Sequence, residues 1–299
     1  MDVSNNSLRS DGALAFTHVI LTSEFFRFEI PGVGPSTTNL AAAITELDIS
    51  RNSLGIAGSV PIESLLAAPR CTLKKLMLCS NMLADPGCAN ICRALQKNTT
   101  LTALNLAENG ASNAAGAQLG IALEKNSVLE DLSLAYNHLR ESGARRIGYG
   151  LSRNRTVRRL DLQWNGFGDE DTILEFAKAI PVCGVSELNL AYNRIKLKAA
   201  TIVASFLEGG SSVRELVLDG NLIGQIGARM LIRAVQEASK RGQEFSTTVG
   251  APRHASIERA QRSIFRSAHF ASQSFIRRLS SLVPQDGQAP DCPLPFRRR

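Results

Sequence analysis

The chain has 299 residues, with 34 Lys+Arg against 27 Asp+Glu and a formal net charge of +7. That excess is local: residues 241–299 hold ten Arg and four acids, a balance of +6, which leaves +1 for residues 1–240. No basic head followed by an apolar run opens the sequence, and no apolar stretch reaches the ~18 residues of a membrane helix, so the expectation is a soluble, cytoplasmic protein.

From the amino terminus, one frame returns along the chain. Asparagine stands at Asn6, Asn52, Asn81, Asn109, Asn137, Asn165, Asn193 and Asn221, the last six spaced by 28 residues. Five positions earlier stand Leu47, Leu76, Leu104, Leu132, Leu160, Leu188 and Leu216; three earlier stand Val3, Ile49, Leu78, Leu106, Leu134, Leu162, Leu190 and Leu218. Two positions later come Leu8, Leu54, Leu83, Leu139, Phe167, Ile195 and Ile223. A unit of this size cannot bury its own apolar face and is stable only when stacked on copies of itself. About eight repeats over residues 1–240 are therefore expected, followed by a basic tail at 241–299.

At the start, Met1 falls in the core slot five before Asn6, so the first strand is expected to be uncapped. The array would then be truncated at this end, or covered there by another chain. Between Asn6 and Asn52 one period is lengthened by about 18 residues, near positions 21–38. This segment carries Phe25, Phe26, Phe28 and the stretch Pro31-Gly-Val-Gly-Pro35, and it predicts an inserted loop that is either a docking element or a flap over the open end.

Within each later unit the period changes. Leu104 and Leu106 lie two apart and point to one side of a short strand, whereas Ile147 and Leu151 lie four apart on one face of a helix. The same helical slots hold Phe16 and Ile20, Ile62 and Leu66, Ile91 and Leu95, Leu119 and Leu123, Val203 and Leu207, and Leu231 and Val235. Gly and Ala in the first helical turn predict close packing on the strand layer. In the Asn165 unit, Asp171 and Glu175 break the pattern, and Ile173, Phe176 and Ile180 are expected to be buried in a shifted phase. Strands sit ~4.8 Å apart but helices need ~8–10 Å, so the predicted fold is an α/β curved solenoid with parallel strands inside and helices outside. Each frame Asn falls where the strand turns, and its amide is expected to satisfy buried backbone groups.

The frame L-x-x-L-x-L-x-x-N-x-L-x-x-x-G-A over residues 1 to about 240 resembles leucine-rich repeats of the ribonuclease-inhibitor type. Such repeats occur in nucleotide-binding innate immune receptors, in the activator of the Ran GTPase, and in intracellular and ciliary proteins. The resemblance implies a horseshoe of strands and helices. It also implies several settings for function: a scaffold or recognition protein, a regulator of a small GTPase, or the truncated repeat part of an immune-receptor-like or ciliary protein, cytoplasmic or cytoskeletal in location.

Groups able to carry chemistry do not converge in the sequence. His18, His138, His254 and His269 fall in unrelated contexts, and no phosphate-cradling G-x-x-x-x-G-K-[ST] run is present, so no enzyme activity and no cofactor are expected. Cys71, Cys79, Cys88, Cys92, Cys183 and Cys292 lack metal-ligand spacing and read as buried free thiols. Asn98-Thr-Thr100 and Asn154-Arg-Thr156 match the glycosylation acceptor pattern, which an intracellular chain leaves unused.

The surface signal is a row. Tyr136, Trp164 and Tyr192 each precede the frame Asn in consecutive repeats, which suits either a protein-binding hot spot or packing on the neighbouring turn. Around them the strand face carries Asp131, Arg159, Asp161, Gln163, Glu187, Glu215 and Asp219, an acidic set that favours a protein partner on the concave face and repels nucleic acid. In the tail, apolar residues from Ile257 to Leu282, flanked by Arg259, Arg262, Arg266, Arg277 and Arg278, predict an amphipathic helix over 256–283. It could bind calmodulin, an anionic membrane or an acidic protein surface, or remain a solvated extension.

Overall fold

The computed structural model describes residues 1–22, 26–30, 34–38, 44–241 and 246–248, with side chains for 1–21 and 44–241. The chain divides into two units, Met1–Pro252 and Arg253–Arg299. The second unit lies outside the described residues, and with it Cys292, His254, His269 and the tail helix expected over 256–283.

In the first unit strand and helix alternate. Helix α1 (Arg9–Thr22) is followed by β1 (Phe26–Ile30) and β2 (Gly34–Thr38), and then by β3 (Glu46–Asp48), α2 (Gly55–Ala67), β4 (Lys75–Met77), α3 (Ala84–Leu95), β5 (Ala103–Asn105) and α4 (Asn113–Lys125). The series continues with β6 (Asp131–Ser133), α5 (Glu141–Arg153), β7 (Arg159–Asp161), α6 (Glu170–Ala179), β8 (Glu187–Asn189), α7 (Leu197–Glu208), β9 (Glu215–Val217), α8 (Gly224–Lys240) and β10 (Ser246–Thr248). Strands β3 to β10 form one parallel sheet in sequence order. Within the insertion expected near 21–38, β1 and β2 pair as an antiparallel two-stranded sheet. Phe25 and residues 31–33 lie outside the described residues.

The middle residue of each strand makes the core. Leu47, Leu76, Leu104, Leu132, Leu160, Leu188 and Leu216 are Cα partners across successive strands and are all buried. The helical slots close over them, and α6 buries Ile173, Phe176 and the following Ile180, with Phe176 edge-on to Phe167. Met1 departs from the expected core slot and is exposed, because among the described residues no strand lies on its far side. Its backbone still joins the array: the terminal amine donates to the Glu46 carbonyl, and Asp2 bridges to Asp48 in parallel.

The frame asparagines fasten each turn to the one before. Asn137 Nδ2 donates to the carbonyls of Leu106, Leu134 and Ala135 at 3.0, 2.9 and 3.2 Å, and its Oδ1 accepts from the N–H groups of Asn109 and Ala111 at 3.1 and 2.9 Å. Asn52, Asn81, Asn109, Asn193 and Asn221 are buried and bonded in the same way. Asn165 is half-buried with the same three carbonyl partners. Asn6 differs from the rest of the predicted column: it is exposed, and its amide donates to the Ser4 carbonyl, with no earlier turn against it among the described residues.

Two further columns with the same spacing escape the sequence reading. Asn98, Asn126 and Asn154, buried after α3, α4 and α5, donate to the carbonyls of Leu66, Leu95 and Leu123 in the preceding repeats, and each accepts the N–H that starts the next strand segment. At the other end of the helices, Asp85 accepts from Ser112 and Ala115, and Asn113 from Arg140 and Gly143, so each caps the helix of the following repeat. Burial opposes ionisation of Asp85, but these hydrogen bonds outweigh it and hold its carboxyl below the usual range.

In the first helical turns, where close packing on the strands is expected, a Cβ on Gly116 would lie 2.7 Å from Gly143 Cα and one on Gly143 would lie 2.9 Å from Asn113 Cα, so these glycines face the neighbouring helix, and the same contact continues further along. A Cβ on Gly120 would lie 2.3 Å from the Arg146 carbonyl oxygen, and one on Gly150 would lie 2.3 Å from the Gly120 carbonyl oxygen. These glycines bring α4 and α5 together, backbone to backbone, rather than bringing a helix onto the strands.

Asn137→Ala leaves the buried N–H groups of Asn109 and Ala111 without their acceptor and the Leu106 carbonyl without its amide donor, at ~1–3 kcal/mol for each N–H, while the carbonyls of Leu134 and Ala135 keep Asn165 Nδ2 and the Glu108 N–H. The expected outcome is a loss of about 2–5 kcal/mol, read from the urea midpoint, while Asn6→Ala shifts it by less than about 0.5 kcal/mol. Equal small shifts would remove the ladder from the account of stability.

Candidate protein-recognition face

Because the strand leucines point into the core, the residues on either side of them point outward, and the turn that follows sets a rim. Its defining feature is backbone conformation. The residue before each frame Asn has positive φ: Arg51 56°, Ser80 56°, Glu108 56°, Tyr136 54°, Trp164 53°, Tyr192 55° and Gly220 66°. For any residue but glycine this conformation costs roughly 1–2 kcal/mol. The N–H groups of Tyr136, Trp164 and Tyr192 donate to the carbonyls of Gln163, Ala191 and Asp219 in the next repeat, which fixes all three in the same attitude.

The three rings stack. Tyr136 and Trp164 lie 5.7 Å apart at 16°, and Trp164 and Tyr192 lie 4.6 Å apart at 7°. Tyr192 in turn packs against Gly220, where a Cβ would come within 2.3 Å of its ring. Stacking of this kind contributes ~0.5–1.5 kcal/mol per pair, comparable to the backbone cost. All three residues remain 39–47% exposed. Both faces of Trp164 are covered, so this central ring presents its edge to solvent. Such edges carry partial positive charge and suit carbonyl oxygens and aliphatic groups better than a cation on a ring face.

Across β6 to β9 the outward positions ahead of the strand leucines read Asp131, Arg159, Glu187 and Glu215, in register. Arg159 bonds Asp131 through Nε and Nη2, both at 2.9 Å, and with Glu187 on its other side its guanidinium is held further above its usual range, the hydrogen bond to Asp131 being the main cause. Both partners are largely exposed, so the pair adds only tenths of a kcal/mol to stability. Asp161, on the other side of its leucine, is drawn inward: its carboxylate accepts from the Gln163 N–H at 3.1 Å and from the Ser133 hydroxyl at 3.3 Å. Burial raises its pKa, which those hydrogen bonds partly counter and Asp131 reinforces. Asp161 therefore shapes its own turn as well as the face. Gln163 and Asp219 stand partly exposed two residues before their frame Asn.

Elsewhere the chemistry is quiet. Among the described residues no three His, Cys, Asp or Glu gather as a metal site, and no helix is long and apolar enough to cross a membrane. Cys88, Cys92 and Cys183 are buried; burial pushes the Cys88 thiol up to about 12, with Asp85 adding to the effect. Contrary to the reading of all cysteines as buried, Cys71 and Cys79 are only partly so. Asn98 and Asn154 cannot serve as glycan acceptors in the folded chain, since both amides are buried and bonded.

The family model described as "Leucine Rich repeat" matches residues 97–110 and 153–171. No curated protein matches the chain. Among solved structures, it is similar to the leiomodin-1 actin-binding site 2, at 14% identity and a TM-score of 0.39, over 72% of this chain and 98% of that one. It is also similar to the tropomodulin C-terminal domain of Caenorhabditis elegans, at 17% identity and a TM-score of 0.43, over 52% of this chain and 93% of that one. Similarity at this level assigns no partner.

Trp164 is the sole tryptophan, which makes the stack observable. Gly220→Ala is expected to lift the Tyr192 ring, uncover one face of Trp164 and shift its emission; unchanged emission would contradict the stacked arrangement. In the native protein, iodoacetamide is expected to label Cys71 and Cys79 well before Cys88, Cys92 and Cys183, as read by peptide mass spectrometry.

Proposed function

We propose, from the premise that the chain is a leucine-rich repeat protein, that it is a non-enzymatic intracellular recognition or scaffold protein that holds a protein partner on its concave face. The observation that carries this reading is the exposed stack of Tyr136, Trp164 and Tyr192. Large rigid side chains ordered before binding lose little conformational freedom when a partner arrives, which is how a few aromatic residues come to dominate an interface. Asp131, Arg159, Asp161, Gln163, Glu187, Glu215 and Asp219 surround the stack as the polar part of the same face. The 28-residue period, with a helix after each frame Asn, supports the ribonuclease-inhibitor subtype, and residues 1–240 as the repeat domain.

Replacing Tyr136, Trp164 and Tyr192 together by Ala removes side chains that are half exposed and leaves the core leucines and the frame asparagines in place. Partners captured by the full chain are expected to be lost by at least about tenfold in quantitative pull-down, with the circular dichroism spectrum unchanged. Retention of every partner at wild-type level would remove the stack as the recognition site.

A further inference from the structure

In the column of outward residues, adjacent strands place Asp131, Arg159, Glu187 and Glu215 side by side, ~4.8 Å from strand to strand. The first three alternate in sign, and Arg159 is clasped by Asp131 with Glu187 at its other flank. The fourth breaks the alternation: Glu187 and Glu215 are direct neighbours of like charge, an arrangement that weakens a sheet unless a cation lies between them. Asp161 and Asp219 add to the negative potential on the same stretch of the face, while Arg159, the one cation at these positions, is already engaged. Beyond the column, the aromatic stack offers ring edges, which suit peptide carbonyls and aliphatic side chains, and its central ring, Trp164, is covered on both faces. The apolar anchor and the charge-reading element are therefore separate parts of one surface. From Glu187 to Tyr192 they are five residues apart along the chain, a span of at most ~16 Å.

We infer that the partner is an extended basic peptide segment, with an arginine or lysine seated between Glu187 and Glu215 and, about four or five residues away, an uncharged stretch lying against the edges of Tyr136, Trp164 and Tyr192. This inference rests on the recognition reading given above and supplies its ligand class. The intramolecular contact of Arg159 with Asp131 and Glu187 is the pattern for the missing cation: a guanidinium from outside repeats, one strand further on, what the protein already makes for itself. Because the glutamates lie on the open strand face, the attraction is salt-sensitive.

The test is selection of random 12-residue peptides by the full chain, followed by fluorescence anisotropy of the selected peptides. Peptides enriched in Arg or Lys are expected, with affinity falling as salt is raised from 50 to 300 mM. E187Q combined with E215Q is expected to weaken them about three- to tenfold. R159Q is expected to strengthen them, since it releases Asp131 and Glu187 from their internal cation; a purely structural role for the column predicts no gain. Peptides that need Tyr136, Trp164 and Tyr192 but lack basic residues, or that ignore E187Q and E215Q, would overturn this inference and leave the recognition reading standing. Selected peptides indifferent to the triple alanine replacement, or no selection at all, would overturn both. Acidic peptides bound through the Arg-rich tail are recognised by their indifference to all of these substitutions and count against the proposal if they are the only class found.

Discussion

Everything on the candidate recognition face depends on the carboxamide of the frame asparagine. Its Oδ1 and Nδ2 are spent on two successive turns at once, so the backbone entering and leaving the amide has no freedom left. The residue before it is forced to positive φ whatever its side chain, and the next repeat imposes the same attitude 28 residues later. Three aromatic residues placed in that slot of consecutive repeats are brought side by side. Buried amides that hold the core together thus also order the surface.

The same amides explain how much the sequence disclosed. Strand leucines, helical slots and the curved layer order were legible because a repeat states each requirement seven or eight times, and an error in one unit, such as Asp171 and Glu175, is outvoted by its neighbours. Signals with fewer copies were missed for the opposite reason. Asn98, Asn126 and Asn154 keep the 28-residue spacing, yet two of them also match an acceptor pattern that drew attention to the surface instead of the core. Asp85 and Asn113 share a slot as well, but a cap that acts on the following repeat leaves no trace in local spacing.

At the candidate site the split runs along a different line. That Tyr136, Trp164 and Tyr192 occupy one row follows from period alone. That they lie flat, with Trp164 covered on both sides, does not, because it depends on Gly220 offering no Cβ under Tyr192. The hairpin of β1 and β2 was overlooked in the same way: Pro31 to Pro35 reads as loop, while the alternation Phe26-Arg-Phe-Glu-Ile30 is a strand signal that the turn residues masked.

The glycine contact between α4 and α5 also reaches the opposite side of the molecule. The bend of a strand-and-helix array is set by the mismatch between its two spacings, so where helices approach more closely than ordinary side chains allow, the arc opens. Gly120 and Gly150 create that condition behind β5 and β6, directly ahead of the aromatic stack. A flatter stretch of the strand layer is therefore expected in front of α4 and α5, and Tyr136, at the end of β6's turn, stands at its edge. A rigid, evenly curved ligand would rock on such a surface, whereas a pliant strand of peptide follows the change of radius.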